Sequence, residues 1–398
     1  MFSRTSNFLS NLILARYGGP AVLGIYSATL SSAIAVVSPV LWSLSTSATL
    51  EAGRTSDQNA RRAIIAAHVG WALLIAVASS GVFLILQHGG HAGGLDAPPS
   101  AALATLAGLS VVICMLVTTV LQGALQGMGA HKPFAARLIA VSFVSVVLAF
   151  PAVIVLGISG ALATLSVQYV LLAATLVRLG RPSFREREQV RRAFATAKEQ
   201  LICCVPNILA TLVAAGASWL TSIYFVGRSH GLAGVGVCAV GSSWLTITMM
   251  PATAWGSLSL RVLSDARASS PEDFRSAVRQ ILMKDMLVTL AVASVVFLCA
   301  APLSRLYGMT HTPLPTILRV NLVTAVVMAA TQTFERAMFC LEQQRVWMRA
   351  QVFGSLCMLA VARWLIPLRL EYVAVAMLCG FSGTAVACAV LARRGRWL

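Results

Sequence analysis

Long apolar runs separated by short polar stretches dominate the pattern of this chain. A helix needs about 20 predominantly apolar residues to cross a bilayer. Runs of that order occupy residues 24–48, 62–86, 101–128, 134–156, 160–179, 200–226, 235–260, 281–302, 313–341, 350–368 and 371–391, and a shorter one precedes them, ending near Arg16. The runs are continuous rather than alternating, so they predict helices and not the roughly ten-residue strands of a membrane barrel. The expected fold is an all-α polytopic membrane protein of about twelve transmembrane helices.

Composition sharpens this reading. Hydrophobic residues make up 58% of the 398 and charged residues only 11%, against about 25% charged in a soluble domain. That excludes a soluble enzyme, a nucleic-acid factor and a disordered chain. The formal charge of +17 is explained by topology. With the N-terminus placed inside, the outer segments hold only Arg16, Arg228, Arg305, Arg319, Arg363 and Arg369, and the other 24 of the 30 basic residues face the cytoplasm. This is a positive-inside distribution, and it places both termini in the cytoplasm. The nine cysteines lie in apolar stretches without a metal-ligand spacing, which fits small thiols packed between helices. His88 and His91 form an HxxH among glycines with no acidic or thiol ligand beside them, so no metal site is expected. No cleavable secretory signal opens the chain.

An internal repeat organises the helices. Leu14-Ala15-Arg16-Tyr17-Gly18-Gly19, with Gly24 and Pro39 following, recurs as Val226-Gly227-Arg228-Ser229-His230-Gly231, with Gly236 and Pro251 following, at an offset of 212. After a one-residue insertion the offset is 213, relating Arg54 to Arg267, Arg62 to Arg275, Gln122 to Glu335 and Lys132 to Arg345. Six helices per repeat make the two repeats parallel, one of the plans of alternating-access transporters, with the substrate site expected between the halves. The expected divisions are an N-lobe over 1–180, a basic cytoplasmic linker over 181–198 and a C-lobe over 199–398. The seventh helix begins near Glu199, so its counterpart would begin about 13 residues before Met1, and the first helix is expected either to start upstream or to be cut short.

The run Asn11-Leu12-Ile13-Leu14-Ala15-Arg16-Tyr17-Gly18-Gly19-Pro20, then Leu23-Gly24-Ile25-Tyr26, resembles the opening motif of bacterial polysaccharide-transport flippases of the Wzx type. Leu121-Gln122-Gly123-Ala124-Leu125-Gln126-Gly127 is also similar to theirs. Those proteins share the MOP superfamily with the MATE drug exporters and the peptidoglycan-precursor flippases. The resemblance implies a MATE-like two-lobe bundle in the bacterial inner membrane. It also implies a substrate, an undecaprenyl-pyrophosphate-linked oligosaccharide such as an O-antigen unit, moved between leaflets. Membrane lipids and other polysaccharide-assembly proteins would be its partners.

Candidate site residues follow, each with a plainer role beside it. Arg16 and Arg228 occupy equivalent helix ends, where a guanidinium can grip a pyrophosphate bidentately or simply snorkel to the interface. Glu335 is an intramembrane acid, suited to taking up H⁺ or Na⁺ as a coupling ion or to pairing with Arg336. Asp285, beside Lys284, reads as interfacial. Gln122 and Gln126, with Ser43, Ser45, Thr46, Ser47, Thr49, Thr118, Thr119, Ser242, Ser243, Thr246, Thr248, Thr331, Gln332 and Thr333, suit a hydrated cavity or helix-to-helix hydrogen bonding. Pro39 and Pro251 read as paired hinges or as fixed bends. The stretch Arg181–Lys198, with Phe184, Val190 and Phe194, reads as cytoplasmic retention or as a helix on the anionic inner leaflet.

No catalytic residue and no bound cofactor are expected. A multidrug cation antiporter of the same superfamily is disfavoured because no acidic residue occurs in the first six helices away from their ends. A membrane glycosyltransferase or polymerase is disfavoured because the longest outer loop, near 87–100, carries a single acid, Asp96, and paired carboxylates are lacking. The topology is testable. A green fluorescent fusion at Leu398 is expected to fluoresce, and alkaline phosphatase activity from the same position would overturn the assignment.

Overall fold

The computed structural model describes residues 9–55, 57–92, 101–183 and 187–394. Arg4, Asp96, Phe184 and Arg396 lie outside the described residues, as do the side chains of Arg54, His88, His91, Arg393 and Arg394 and the start of the first expected helix. Every element among the described residues is helical. In order they are α1 (residues 9–18), α2 (Gly19–Arg54), α3 (Gln58–Ala92), α4 (Ala101–Gly127), α5 (His131–Leu156), α6 (Ile158–Gly180), α7 (Arg187–Cys203), α8 (Val205–Trp219), α9 (Val226–Thr248), α10 (Met250–Ala254), α11 (Gly256–Ser269), α12 (Pro271–Leu298), α13 (Ala300–Leu306), α14 (Leu314–Cys340), α15 (Gln344–Leu365) and α16 (Tyr372–Arg394).

Nine helical runs among these residues are long and apolar enough to cross a membrane. Two of them, Leu9–Gly53 and Val205–Thr248, hold 45 and 44 residues. Straight, each would measure about 66 Å, twice the ~30 Å hydrocarbon core. Neither is straight, because Gly19 (φ 79°) and Gly231 (φ 68°) break them in the left-handed region that only glycine enters freely. Each run therefore covers two of the spans expected from the sequence. The expected span at 350–368 lies on α15, 22 residues long with Arg345, Arg349 and Arg363, which its charges keep out of the nine. The chain is a multi-pass, all-α membrane protein.

Some boundaries differ from expectation for local reasons. The span expected at 281–302 begins ten residues earlier, at Pro271. Ser270 caps it, its Oγ accepting from the Asp273 amide at 3.0 Å, with Pro271 in the first turn and Glu272 and Asp273 near the positive helix end. The span expected at 235–260 is interrupted twice, at Met249 and at Trp255, so that α10 is a short segment between two longer helices.

The helices form two compact units. One holds the chain up to Gly18 together with Ile25–Ala215; the other holds Gly19–Gly24 and Gly216–Leu398. In the first, α4 packs on α3 and α6, α5 on α6, and α7 on α3. The glycines of the LQGALQG motif let helices approach closely there: Gly123 faces the backbone of Ser45 and Gly127 that of Thr49. Thr49 Oγ1 donates to the Gly123 carbonyl at 3.0 Å. This is small-residue helix packing of the kind that dispenses with a hydrophobic driving force.

In the second unit α15 packs on α16, and α14 on α9, α12 and α16. Gly24 lies against the Leu232 carbonyl and the Gly236 amide, while Gly236 lies against the Pro20 carbonyl and the Gly24 amide. Pro20 and Leu232, like Gly24 and Gly236, are 212 apart. The contact is reciprocal. A methyl group at either glycine meets backbone, so Gly24→Ala and Gly236→Ala are each expected to cost about 1–3 kcal/mol. The melting temperature in detergent should fall accordingly. Gly216→Ala, whose added carbon meets nothing within 4 Å, should leave it unchanged or higher.

Candidate functional site

The two repeat-related arginines share a following bend but not the placement of the π-helical stretch beside it. Arg16 lies in a π-helical stretch, Leu14–Gly18, three residues before the bend at Gly19. Arg228 follows a second π-helical stretch, Leu220–Phe225, and lies three residues before the bend at Gly231. Both side chains are exposed. Arg228 Nη1 donates to the Tyr224 hydroxyl at 3.3 Å. Beside it, His230 Nε2 hydrogen-bonds the Ile366 carbonyl at 2.7 Å. A carbonyl only accepts, so that nitrogen carries the proton. Next to Arg16, Tyr17 meets Phe150 edge-on at 5.7 Å. A guanidinium on an exposed helix end, steadied by an adjacent bend, is free to present several donors to an anion.

The prolines are equivalent in sequence but not in local structure. Pro39 lies within the continuous helix α2 and cannot donate to the Ala35 carbonyl four residues back. Ser38 Oγ donates to that carbonyl at 3.4 Å instead. Pro251 stands in the first turn of α10, just past the break at Met249, whose amide takes up the Ile247 carbonyl that Pro251 leaves free.

Among the polar residues on α4 and α14, Gln122 is exposed, while Gln126 and Glu335 are half-buried. Many of the hydroxyls bond carbonyls of their own helices: Thr246 to Ser242 at 2.9 Å, Thr248 to Trp244 at 2.9 Å and Thr331 to Met328 at 2.8 Å. That is the local back-bonding open to any helical Ser or Thr.

The strongest charge constellation is one that hydropathy placed wrongly. Asp285 is not a wetted interfacial residue: it is 1% exposed. Its Oδ2 accepts from Arg336 Nη1 at 2.9 Å and from Thr333 Oγ1 at 3.1 Å. Arg336 is itself buried, and its Nη2 donates to the Ala252 carbonyl at 3.0 Å and to Gln332 Oε1 at 3.4 Å. Arg336 thus binds Asp285 rather than its neighbour Glu335. Lys284 turns the other way and lies over the Trp255 ring, 4.6 Å from its centre. Gly256 makes room for the guanidinium, since a Cβ there would stand 2.9 Å from Nη2. The cluster ties α10, α12 and α14 together at the interrupted helix. Two features of the sequence carry the signal: an acid and a base in separate apolar spans, and Thr333 three residues before Arg336 on the same helical face.

A second buried group lies in the other unit. Ser47 and Glu51, one turn apart on α2, face His68 on α3. Glu51 lies three residues from the end of α2 and is buried nonetheless, at 9% exposure. The sequence argument against an antiporter, which set aside acids near helix ends, loses force at this residue.

No protein-family model and no curated protein sequence matches the chain. Solved structures do. One is a multidrug resistance MATE family transporter of the MOP superfamily in an inward-facing conformation: TM-score 0.81, 16% identity, covering 99% of this chain and 94% of that one. Another is the lipid II flippase MurJ in an inward closed conformation: TM-score 0.72, 11% identity, 98% of this chain and 86% of that one. A third is a eukaryotic MATE transporter: TM-score 0.68, 14% identity, 100% and 96%. The chain has the fold of these proteins, which are described as transporters and a flippase.

The Asp285–Arg336 pair is a stability element with a testable signature. Removing one partner strands a buried charge, at about 3–5 kcal/mol. Asp285→Leu and Arg336→Met are each expected to lower the melting temperature and the yield of folded protein. The double variant should recover much of the loss.

Proposed function

We propose that the chain is a flippase for a polyprenyl-pyrophosphate-linked oligosaccharide, carrying an O-antigen-type or exopolysaccharide unit across the bacterial inner membrane. The observation that carries the reading is the pair Arg16 and Arg228. Each repeat presents one exposed guanidinium at the same place, three residues before a left-handed glycine. A diphosphate entering a poorly solvating environment needs such groups. Charge-assisted, bidentate hydrogen bonds from arginine answer that need better than the point charge of lysine. The MATE-like fold is compatible with this use, since a lipid II flippase shares it. In this reading Gln122, Gln126 and Glu335 contribute polar surface for sugar hydroxyls or a coupling ion, and Pro39 and Pro251 serve as flexing points. Both termini are cytoplasmic.

A second reading, a MATE-type cation antiporter, draws support from the buried Glu51, because a carboxylate inside a helical bundle can recognise a cation or a proton.

Complementation of a strain lacking its lipid-linked-glycan flippase separates the two. Arg16→Ala and Arg228→Ala are each expected to reduce export per molecule at least about tenfold, the worth of a charge-assisted hydrogen bond. Lysine should restore it only in part, while membrane abundance stays normal. Normal export per molecule in the double alanine variant would overturn the assignment of the arginines. Resistance to cationic dyes without glycan export would favour the antiporter.

A further inference from the structure

The His68 group plays no part in the flippase reading above, and its geometry suits a specific ligand. His68 is fully covered and Ser47 and Glu51 are nearly so, at 0%, 4% and 9% exposure. His68 Nδ1 lies 3.0 Å from the carbonyl of Ile64, one turn back on the same helix. A carbonyl offers no proton, so Nδ1 carries one and the second nitrogen, Nε2, presents its lone pair. Nε2 stands 2.9 Å from Ser47 Oγ and 4.0 Å from Glu51 Oε1.

We propose that this group is a proton-binding site, with His68 Nε2 as the acceptor and Glu51 as the counter-charge. In the empty state the Ser47 hydroxyl donates to Nε2. When a proton arrives on Nε2, the new N–H donates to Ser47 Oγ, and the hydroxyl hydrogen rotates away. No heavy atom has to move. The imidazolium then faces the Glu51 carboxylate inside a covered site, where opposite charges attract far more than in water.

Among the described residues, helices α4 and α7 pack on α3. Helix α4, packed on α3, carries no Asp, Glu, Lys, Arg or His, and its one titratable group is Cys114. Helix α7, also packed on α3, holds Arg187, Glu188, Arg191, Arg192, Lys198, Glu199 and Cys203, all of them exposed. It touches α3 through Phe194, which stacks on Trp71 at 4.5 Å and takes the indole N–H on its carbonyl at 3.0 Å. On α3 itself Arg61 and Arg62 lie six or seven residues before His68, and Arg61 is bonded to the Thr55 carbonyl.

The use of this site as a coupling site rests on the transporter reading of the chain; its existence does not. The test is therefore a direct titration of the full-length protein in detergent. With ¹³C-labelled histidine, the resonance lost in His68→Asn should shift as the pH is lowered. Glu51→Gln should weaken proton binding at least tenfold, moving that inflection down by a pH unit or more. If His68→Asn does not fold, Ser47→Ala identifies the resonance, since it removes the one side-chain hydroxyl bonded to that ring. A His68 signal that does not titrate from pH 5 to 9, or one whose inflection is the same in Glu51→Gln, would overturn the proposal and leave His68 as a pin between two helices. In proteoliposomes, dependence of transport on an imposed pH gradient should vanish in His68→Asn. A normal titration without any transport would instead count against the transporter reading.

Discussion

Inside a bilayer no water is available to a backbone carbonyl, so each interruption of a helix must be answered by some other group of the protein. The chemistry of this chain gathers where that demand arises. At the interrupted segment α10, the Ala252 carbonyl is met by Arg336, and the charge so introduced is met by Asp285. Beside the bend at Gly231, His230 reaches the Ile366 carbonyl. In α2, Ser38 supplies the donor that Pro39 lacks. In each case a polar side chain donates to a backbone carbonyl near a bend or interruption of a helix.

Much of this was legible beforehand. The apolar runs located the helices, and the segments repeated at the 212-residue offset end on Gly19 and Gly231, where the helices bend. Hydropathy could not show which face of a helix is covered by protein. Asp285 stands next to Lys284, and a window average treats the two alike. Yet neighbouring residues on a helix point about 100° apart, and these two meet Arg336 and Trp255 respectively. Glu51 misled in the same way: nearness to a helix end was read as nearness to water, while packing against α3 buries it. The LQGALQG motif drew attention to its glutamines, but Gly123 and Gly127 make its contacts with α2.

The two repeats share the bends at Gly19 and Gly231 and differ in their buried chemistry. At the offset of 213, Arg336 corresponds to Gly123 and Asp285 to Ala72, so where one repeat holds an ion pair the other has small residues packed against neighbouring helices. Conversely, Glu51 and His68 correspond to Ser264 and Ile281. The glycine bend recurs in both repeats, while these buried side chains do not. A transporter fold common to drug exporters and a lipid II flippase is therefore a poor guide to cargo, which the side chains of each repeat decide.

The crossing of Gly24 with Gly236 is of a kind usually met between identical subunits. Each glycine faces the residue that its own counterpart places four positions earlier, Leu232 in one case and Pro20 in the other, which makes the contact isologous within one polypeptide. On a single chain each glycine can mutate alone, yet the reciprocal geometry restrains both, because a substitution on either side collides with the unchanged backbone opposite.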